Sequence, residues 1–184
     1  MRRAPKRQSG MTLIELLVAI SVLAVLSVMG YKAFSALLIS RERLLQVSAQ
    51  WIELARLFRR VELDLDQLPS SEALDRSPGK SLRLEGGSGA QRLALTVYSP
   101  QLASGRDILI YQSGNPGLSW SSLRAAGQNF PLLGADYDIG WRLRLDDGRW
   151  VEHWPDADGG VPRLLELRVR QSGIGAVTRW WSLP

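Results

Sequence analysis

A single carboxylate stands where nothing around it can carry charge. Residues 11–31 read MTLIELLVAISVLAVLSVMGY, and Glu15 is the one charged residue among the 21. An ionised acid within such a run is costly, about 2.5–3.5 kcal/mol at the centre of a membrane helix and less near an end. A group of this kind implies a partner, and the partner for a carboxylate is a cation. Elsewhere the chemistry-bearing residues are sparse. His153 is the only histidine and lies beside Trp154 in an expected strand, where a packed or half-exposed ring outweighs a general base. Asp156-Ala157-Asp158-Gly159 has the start of a calcium loop but not the remaining ligands, so Asp156 and Asp158 are weak metal candidates and a polar turn is the simpler reading. With no cysteine and one histidine, the chain has neither a thiol nucleophile nor a zinc pair. We expect no catalytic residue and no cofactor.

Seven tryptophans invite a stacking platform. Trp51 falls on a helical stripe and Trp141 on the inward face of a strand. Trp150, Trp154, Trp180 and Trp181 fall in terminal strands where core and interface are equally open. The net charge of +5 could point to nucleic acid. Four of the positives are Arg2, Arg3, Lys6 and Arg7; removing them from the 23 basic residues leaves 19 against 18 acidic ones. The remainder has no basic stripe and no glycine-rich phosphate cradle, so no nucleic-acid partner is expected.

The elements that must position Glu15 follow from pattern. Residues 11–31 are long enough as a helix to span a bilayer, and the basic flank before them predicts a cytoplasmic N-terminus with the C-terminal part outside. A cleaved secretory signal shares the basic flank, but the apolar run is long, no small-x-small site ends it, and helical pattern continues through it. A plain anchor explains the length and leaves Glu15 without a reason. Beyond the span, Leu37, Leu44, Trp51, Phe58 and Leu65 recur every seven residues, with Val47, Leu54, Val61 and Leu68 three residues after members of that series. This seam is expected to pack on the protein's own sheet, or on partner helices where the sheet does not reach. The charged residues between, Asp64 among them, form the expected solvated face. Pro69 and Ser70-Ser71 end the pattern near residue 68.

After residue 69 the period changes from helical to two. Leu82–Leu84 reads as a short strand. Leu93, Leu95 and Val97 alternate with Arg92, Ala94 and Thr96, and Ile139, Trp141, Leu143 and Leu145 alternate with Gly140, Arg142 and Arg144. Ile108–Tyr111 is apolar on both faces. Asp147-Gly148 predicts a hairpin turn into Arg149–Trp154. Leu165, Leu167 and Val169 continue the alternation, and Val177–Leu183 closes the chain. Residues 84–92 and 113–133 read as compact loops. The fold class is α+β: a long N-terminal helix, its first half membrane-spanning, packed on antiparallel sheet.

Ser9-Gly10-Met11-Thr12-Leu13-Ile14-Glu15-Leu16 resembles the class III leader junction of type IV pilins and type II secretion pseudopilins. In that family a basic leader ends in glycine, followed by an apolar residue, threonine, two apolar residues and glutamate; Met11 stands where phenylalanine is commonest. The resemblance implies a leader over 1–10, a transmembrane helix over 11–31, its periplasmic continuation over 32–68 and a β-rich periplasmic domain over 69–184. It implies cleavage by a prepilin peptidase between Gly10 and Met11, methylation of the new Met11 amine, and pairing of Glu15 with the amine of a neighbouring subunit during assembly. Asp107–Tyr111, Asp146–Pro155, Val161–Val169, Arg179–Pro184 and the helix Ser40–Leu68 are similar to the J-type minor pseudopilin. That implies a single-pass inner-membrane subunit at the tip of a periplasmic pseudopilus, with I- and K-type partners. A minor type IV pilin or a competence pseudopilin shares the leader and is the alternative, although the cysteine pair usual in pilins is absent.

Overall fold

The structure is a computed structural model of the chain and describes residues 12–69, 80–87, 89–125, 128–155 and 159–184. One helix, α1 (Leu13–Leu65), is followed by antiparallel strands in two sheets, a pilin-like α+β architecture. The chain divides into two compact units, Met1–Gln46 and Val47–Pro184, and each is taken by itself.

In the first unit the described residues are Thr12 and the helix that follows it. No side chain in 12–46 is buried. The helix is long and apolar enough to cross a membrane. Its two serine hydroxyls within the apolar run are satisfied internally: Ser21 Oγ donates to the Leu17 carbonyl at 2.8 Å and Ser27 Oγ to the Leu23 carbonyl at 2.8 Å. Each hydroxyl thus finds an acceptor without water, as an apolar surrounding requires.

The second unit holds the core. Strands β1 (Leu82–Gly87), β2 (Ala90–Tyr98), β3 (Arg106–Gly114), β4 (Gly117–Ser122) and β5 (Asn129–Leu133) form one meander in chain order. Strands β6 (Asp138–Leu145), β7 (Trp150–Val151), β8 (Pro162–Gln171) and β9 (Gly175–Ser182) form a second sheet in the order β7-β6-β8-β9. Period-two alternation sets the inner faces: Leu93, Leu95 and Val97 on β2, Trp141, Leu143 and Leu145 on β6, Leu165, Leu167 and Val169 on β8 are all buried. Onto these close Leu54, Leu57, Val61 and Leu65 of α1, spaced as one helix face.

Polar groups lock the two sheets together. The Tyr111 and Trp141 rings meet at 5.8 Å. The buried Gln91 amide donates to the Trp141 carbonyl at 2.9 Å and accepts from the Trp141 N–H at 2.7 Å. A side chain of the first sheet therefore satisfies backbone groups of β6 beyond the two residues that β7 pairs. Between β6 and β7, Gly148 adopts φ +88° in the turn, while Asp147 accepts from the Arg149 N–H at 2.9 Å.

Several expectations are corrected. The helix ends at Leu65, and residues 66–68 form a turn in which Gln67 N–H bonds Asp64 at 3.3 Å and Leu68 N–H bonds Leu65 at 3.0 Å; the residue before Pro69 disfavours helix. Residues 113–133, expected as loop, contain β4 and β5. Serines and Pro131 occupy them where apolar residues would have signalled a strand. Arg149–Trp154 is a strand only over Trp150–Val151; the chain then crosses to β1, where Leu84 and Trp154 exchange backbone bonds of 2.9 and 2.8 Å. His153 lies in that crossing as an exposed bend residue, not in a strand.

Candidate assembly site

Thr12 precedes the first helical residue and acts as N-cap. Its hydroxyl accepts from the Glu15 N–H at 3.4 Å, and Glu15 reaches back to accept from the Thr12 N–H at 2.9 Å and the Thr12 hydroxyl at 3.1 Å. This is a capping box: two residues three apart satisfy each other's otherwise orphaned donors. The carboxylate is thereby held at the start of the helix, where the macrodipole favours negative charge. It is exposed among Leu13, Ile14 and Leu16, which are 82%, 70% and 52% exposed. Thr12 is its only hydrogen-bond partner among the described residues. A carboxylate has room for about four hydrogen bonds, so Glu15 keeps acceptor capacity for a cation from outside the chain.

The second polar centre on α1 is enclosed. Asp64, expected on the solvated face, is buried. Its Oδ2 accepts from the Tyr111 hydroxyl at 2.5 Å, from Trp120 Nε1 at 3.1 Å and from Arg60 Nε at 3.1 Å. The Arg60 guanidinium also lies over the Trp120 ring at 3.9 Å. Burial, then the Asp64 charge and hydrogen bond, push the Tyr111 phenol far above its ordinary range. A third helical carboxylate, Glu53, accepts from the Tyr137 hydroxyl at 3.0 Å. Burial and then Glu53 raise the Tyr137 phenol to about 12. These groups tie the helix to the sheets. No group of His, Cys, Asp and Glu among the described residues is disposed to hold a metal ion.

The expected seam divides along its length. Leu54, Val61, Leu65 and Leu68 are buried and Phe58 partly so, with its ring 6.1 Å from that of Trp181. Leu37, Leu44, Val47 and Trp51 are exposed, at 68%, 69%, 37% and 46%. Leu57 belongs to the buried stripe and was missed by the seven-residue series. Of the tryptophans, Trp141, Trp154 and Trp181 are buried, whereas Trp150 and Trp180 are exposed. Gly10, Met11, Asp156 and Asp158 lie outside the described residues.

On the outward face of the second sheet, Glu166 is covered by its neighbours. It accepts from Trp180 Nε1 at 2.7 Å and pairs with Arg142 at 2.8 Å and Arg168 at 2.6 Å. Burial pushes its carboxyl up, but the Trp180 bond and the two arginines outweigh it and hold the group below the usual range.

Against this geometry, residues 5–31 match the family described as the prokaryotic N-terminal methylation motif. The matched segment contains Gly10, Met11, Thr12 and Glu15 and the apolar start of the helix as far as Tyr31. The chain therefore carries an N-terminal motif typical of type IV pilin-like precursors, joined to a helix compatible with a membrane anchor.

Proposed function

We propose that this chain is a minor pseudopilin of a bacterial type II secretion system, of the J type, at the tip of the periplasmic pseudopilus. A prepilin peptidase cuts between Gly10 and Met11 and methylates the Met11 amine. The apolar helix holds the subunit in the inner membrane, with the β-rich part in the periplasm and I- and K-type minor pseudopilins as partners. The role is structural: the helices stack side by side and the subunit primes the fibre that supports export.

The observation that carries this reading is Glu15, a carboxylate exposed on an apolar helix whose one described partner is its own cap. In lipid such a group gains most from an adjacent ammonium, and cleavage after Gly10 would create one on each neighbouring subunit. Glu15→Gln separates the two uses of the side chain. Glutamine keeps the capping box, since its amide oxygen still accepts from Thr12, but it removes the charge. In cells with the peptidase and the I- and K-type subunits, Glu15→Gln leaves cleavage and membrane insertion intact and lowers incorporation by tenfold or more. Normal incorporation of Glu15→Gln overturns the pairing role. Mass spectrometry of the mature chain beginning at an unmethylated Met1 overturns the whole reading.

A further inference from the structure

The two sheets have four outer edges, and three of them are closed to further pairing. Strand β7 is two residues long. Strand β5 contains Pro131, and its register shifts against β4 between Leu118 and Ser119. Strand β1 is met on its outer side by Trp154 through paired backbone bonds. These are the usual means by which proteins prevent edge-to-edge association. Strand β9 has none of them. It runs eight residues in unbroken register with β8, contains no proline, and ends the sheet with no strand beyond it among the described residues. Six of its eight residues are exposed. In an antiparallel strand alternate residues point both N–H and C=O away from the paired neighbour, so β9 offers a row of donors and acceptors to an incoming chain.

The chemistry along this edge selects the occupant. Strand β9 has no acidic residue, and its Arg179 has no ion-pair or hydrogen-bond partner among the described residues. On the outward face of adjoining β8, Arg168 and Arg170 are 54% and 75% exposed and already pair with Glu166 and Asp138 at 2.6 and 4.0 Å, which leaves Arg179 as the unpaired cation of the edge among the described residues. Arg179 pairs with Leu167 and so lies on the inward side of the sheet, whereas Glu166 pairs with Trp180 on the outward side and is neutralised there by Arg142 and Arg168. Trp180 stands 61% exposed, its indole N–H fixed on Glu166 at 2.7 Å, so the ring is presented in one orientation. Self-pairing of two β9 strands about their centre would bring the two copies of Arg179 close together, and like charges across a ladder destabilise it. A segment with carboxylates meets the opposite sign.

We propose that β9 is a strand-addition site: its free edge takes an extended segment of another protein, acidic where it faces Arg179 and apolar or aromatic where it faces Trp180. Backbone bonds would supply the attachment and the alternate side chains the choice of partner. This docking does not use Glu15 or the apolar helix, so it stands or falls separately from the assembly reaction above.

The test uses the full chain in detergent micelles and two fluorescent seven-residue peptides with alternating valine and threonine: one carries two glutamates, the other two lysines at the same places. The glutamate peptide binds at least tenfold more tightly by fluorescence anisotropy. On binding, alternate amides of Gly175–Ser182 gain protection from hydrogen exchange. Arg179→Glu reverses the preference between the peptides. Thr178→Pro and Arg179→Pro are compared because one of the two N–H groups faces β8 and the other faces out; the variant that keeps its melting temperature loses peptide binding. Absence of glutamate-peptide binding, equal binding of both peptides, or unchanged exchange in β9 overturns the proposal. Slow exchange of all β9 amides in the free protein also overturns it, since the edge would then be covered already.

Discussion

Glu15 and Asp64 are carboxylates on the same helix, and the chain treats them in opposite ways. Around Asp64 it supplies a tyrosine hydroxyl, an indole N–H and a guanidinium, and buries the group. For Glu15 the described residues supply one threonine of the same turn and leave the surrounding leucines bare. Glu53 stands between these extremes, with one tyrosine hydroxyl as its bond from outside the helix. A carboxylate that completes the fold is enclosed by donors from other elements; one held only by its own turn can take a partner from elsewhere. The apolar residues follow the same division, since Leu44 is 69% exposed and Leu54 fully buried.

The sharpest way to break this comparison is to truncate one leucine from each part. Leu54→Ala removes a side chain from the middle of the core and is expected to cost roughly 2–5 kcal/mol, the range for a buried leucine whose cavity does not fully collapse. Leu44→Ala is expected to change stability by less than about 0.5 kcal/mol. Thermal unfolding of the full chain in micelles, followed by near-ultraviolet circular dichroism of the tryptophans, reads both. A large loss on Leu44→Ala would mean that its surface is covered within the chain.

The next test concerns Asp64. Asp64→Ala leaves the Tyr111 hydroxyl and Trp120 Nε1 without their acceptor and removes the ion pair of Arg60, an expected loss of about 3 kcal/mol. Asp64→Asn restores an acceptor oxygen but not the charge, and falls between wild type and Asp64→Ala. If Asp64→Ala unfolds at the wild-type temperature, the three bonds to Asp64 are not what fastens helix to sheet.

How much of this could be read in advance depended on whether residue type agreed with position. Strands β2, β6 and β8 were legible because leucine, valine and tryptophan alternate with arginine, so polarity and pleat give the same answer. Strand β4 was not, because Ser119, Ser121 and Ser122 carry no hydrophobic signal although Ser122 is buried. Asp64 differs from its expected solvated place because its position on the helix, not its charge, decides its burial. Leu54, Leu57, Val61 and Asp64 are spaced three, four and three apart, one continuous helical stripe, and that spacing is the signal for burial. Glu166 falls on the outward face as its alternation requires, yet is buried; only the register that sets Arg142 and Trp180 opposite it reveals the cover. The Thr12–Glu15 capping box is written in the sequence as T-x-x-E ahead of an apolar run, a pattern legible without the structure. Chain periodicity states which face a residue occupies. It does not state which long side chains from neighbouring strands will lie across it.

The smallest expected effect tests the intermediate member of the series. Tyr137→Phe removes the hydroxyl that donates to Glu53 and should cost about 1 kcal/mol at neutral pH, the net worth of one such bond. The pH dependence separates this bond from simple loss of packing. Burial and Glu53 raise the Tyr137 phenol to about 12, above the ordinary value of 10.0. An ionised Tyr137 is therefore disfavoured in the folded state. Its contribution is fully present below pH 10, and stability declines as pH rises from there through about 12. Tyr111, raised for similar reasons, contributes a decline of its own that persists in both proteins. The difference between wild type and Tyr137→Phe should accordingly be constant from pH 7 to about 9 and shrink on further alkalinisation. If it holds constant to pH 12, the hydroxyl does not depend on Glu53 in the folded chain. Glu53 would then join Glu15 as a helical carboxylate that the sheets leave unclaimed, and the enclosed stretch of the helix would be shorter than the contacts of Glu53 indicate.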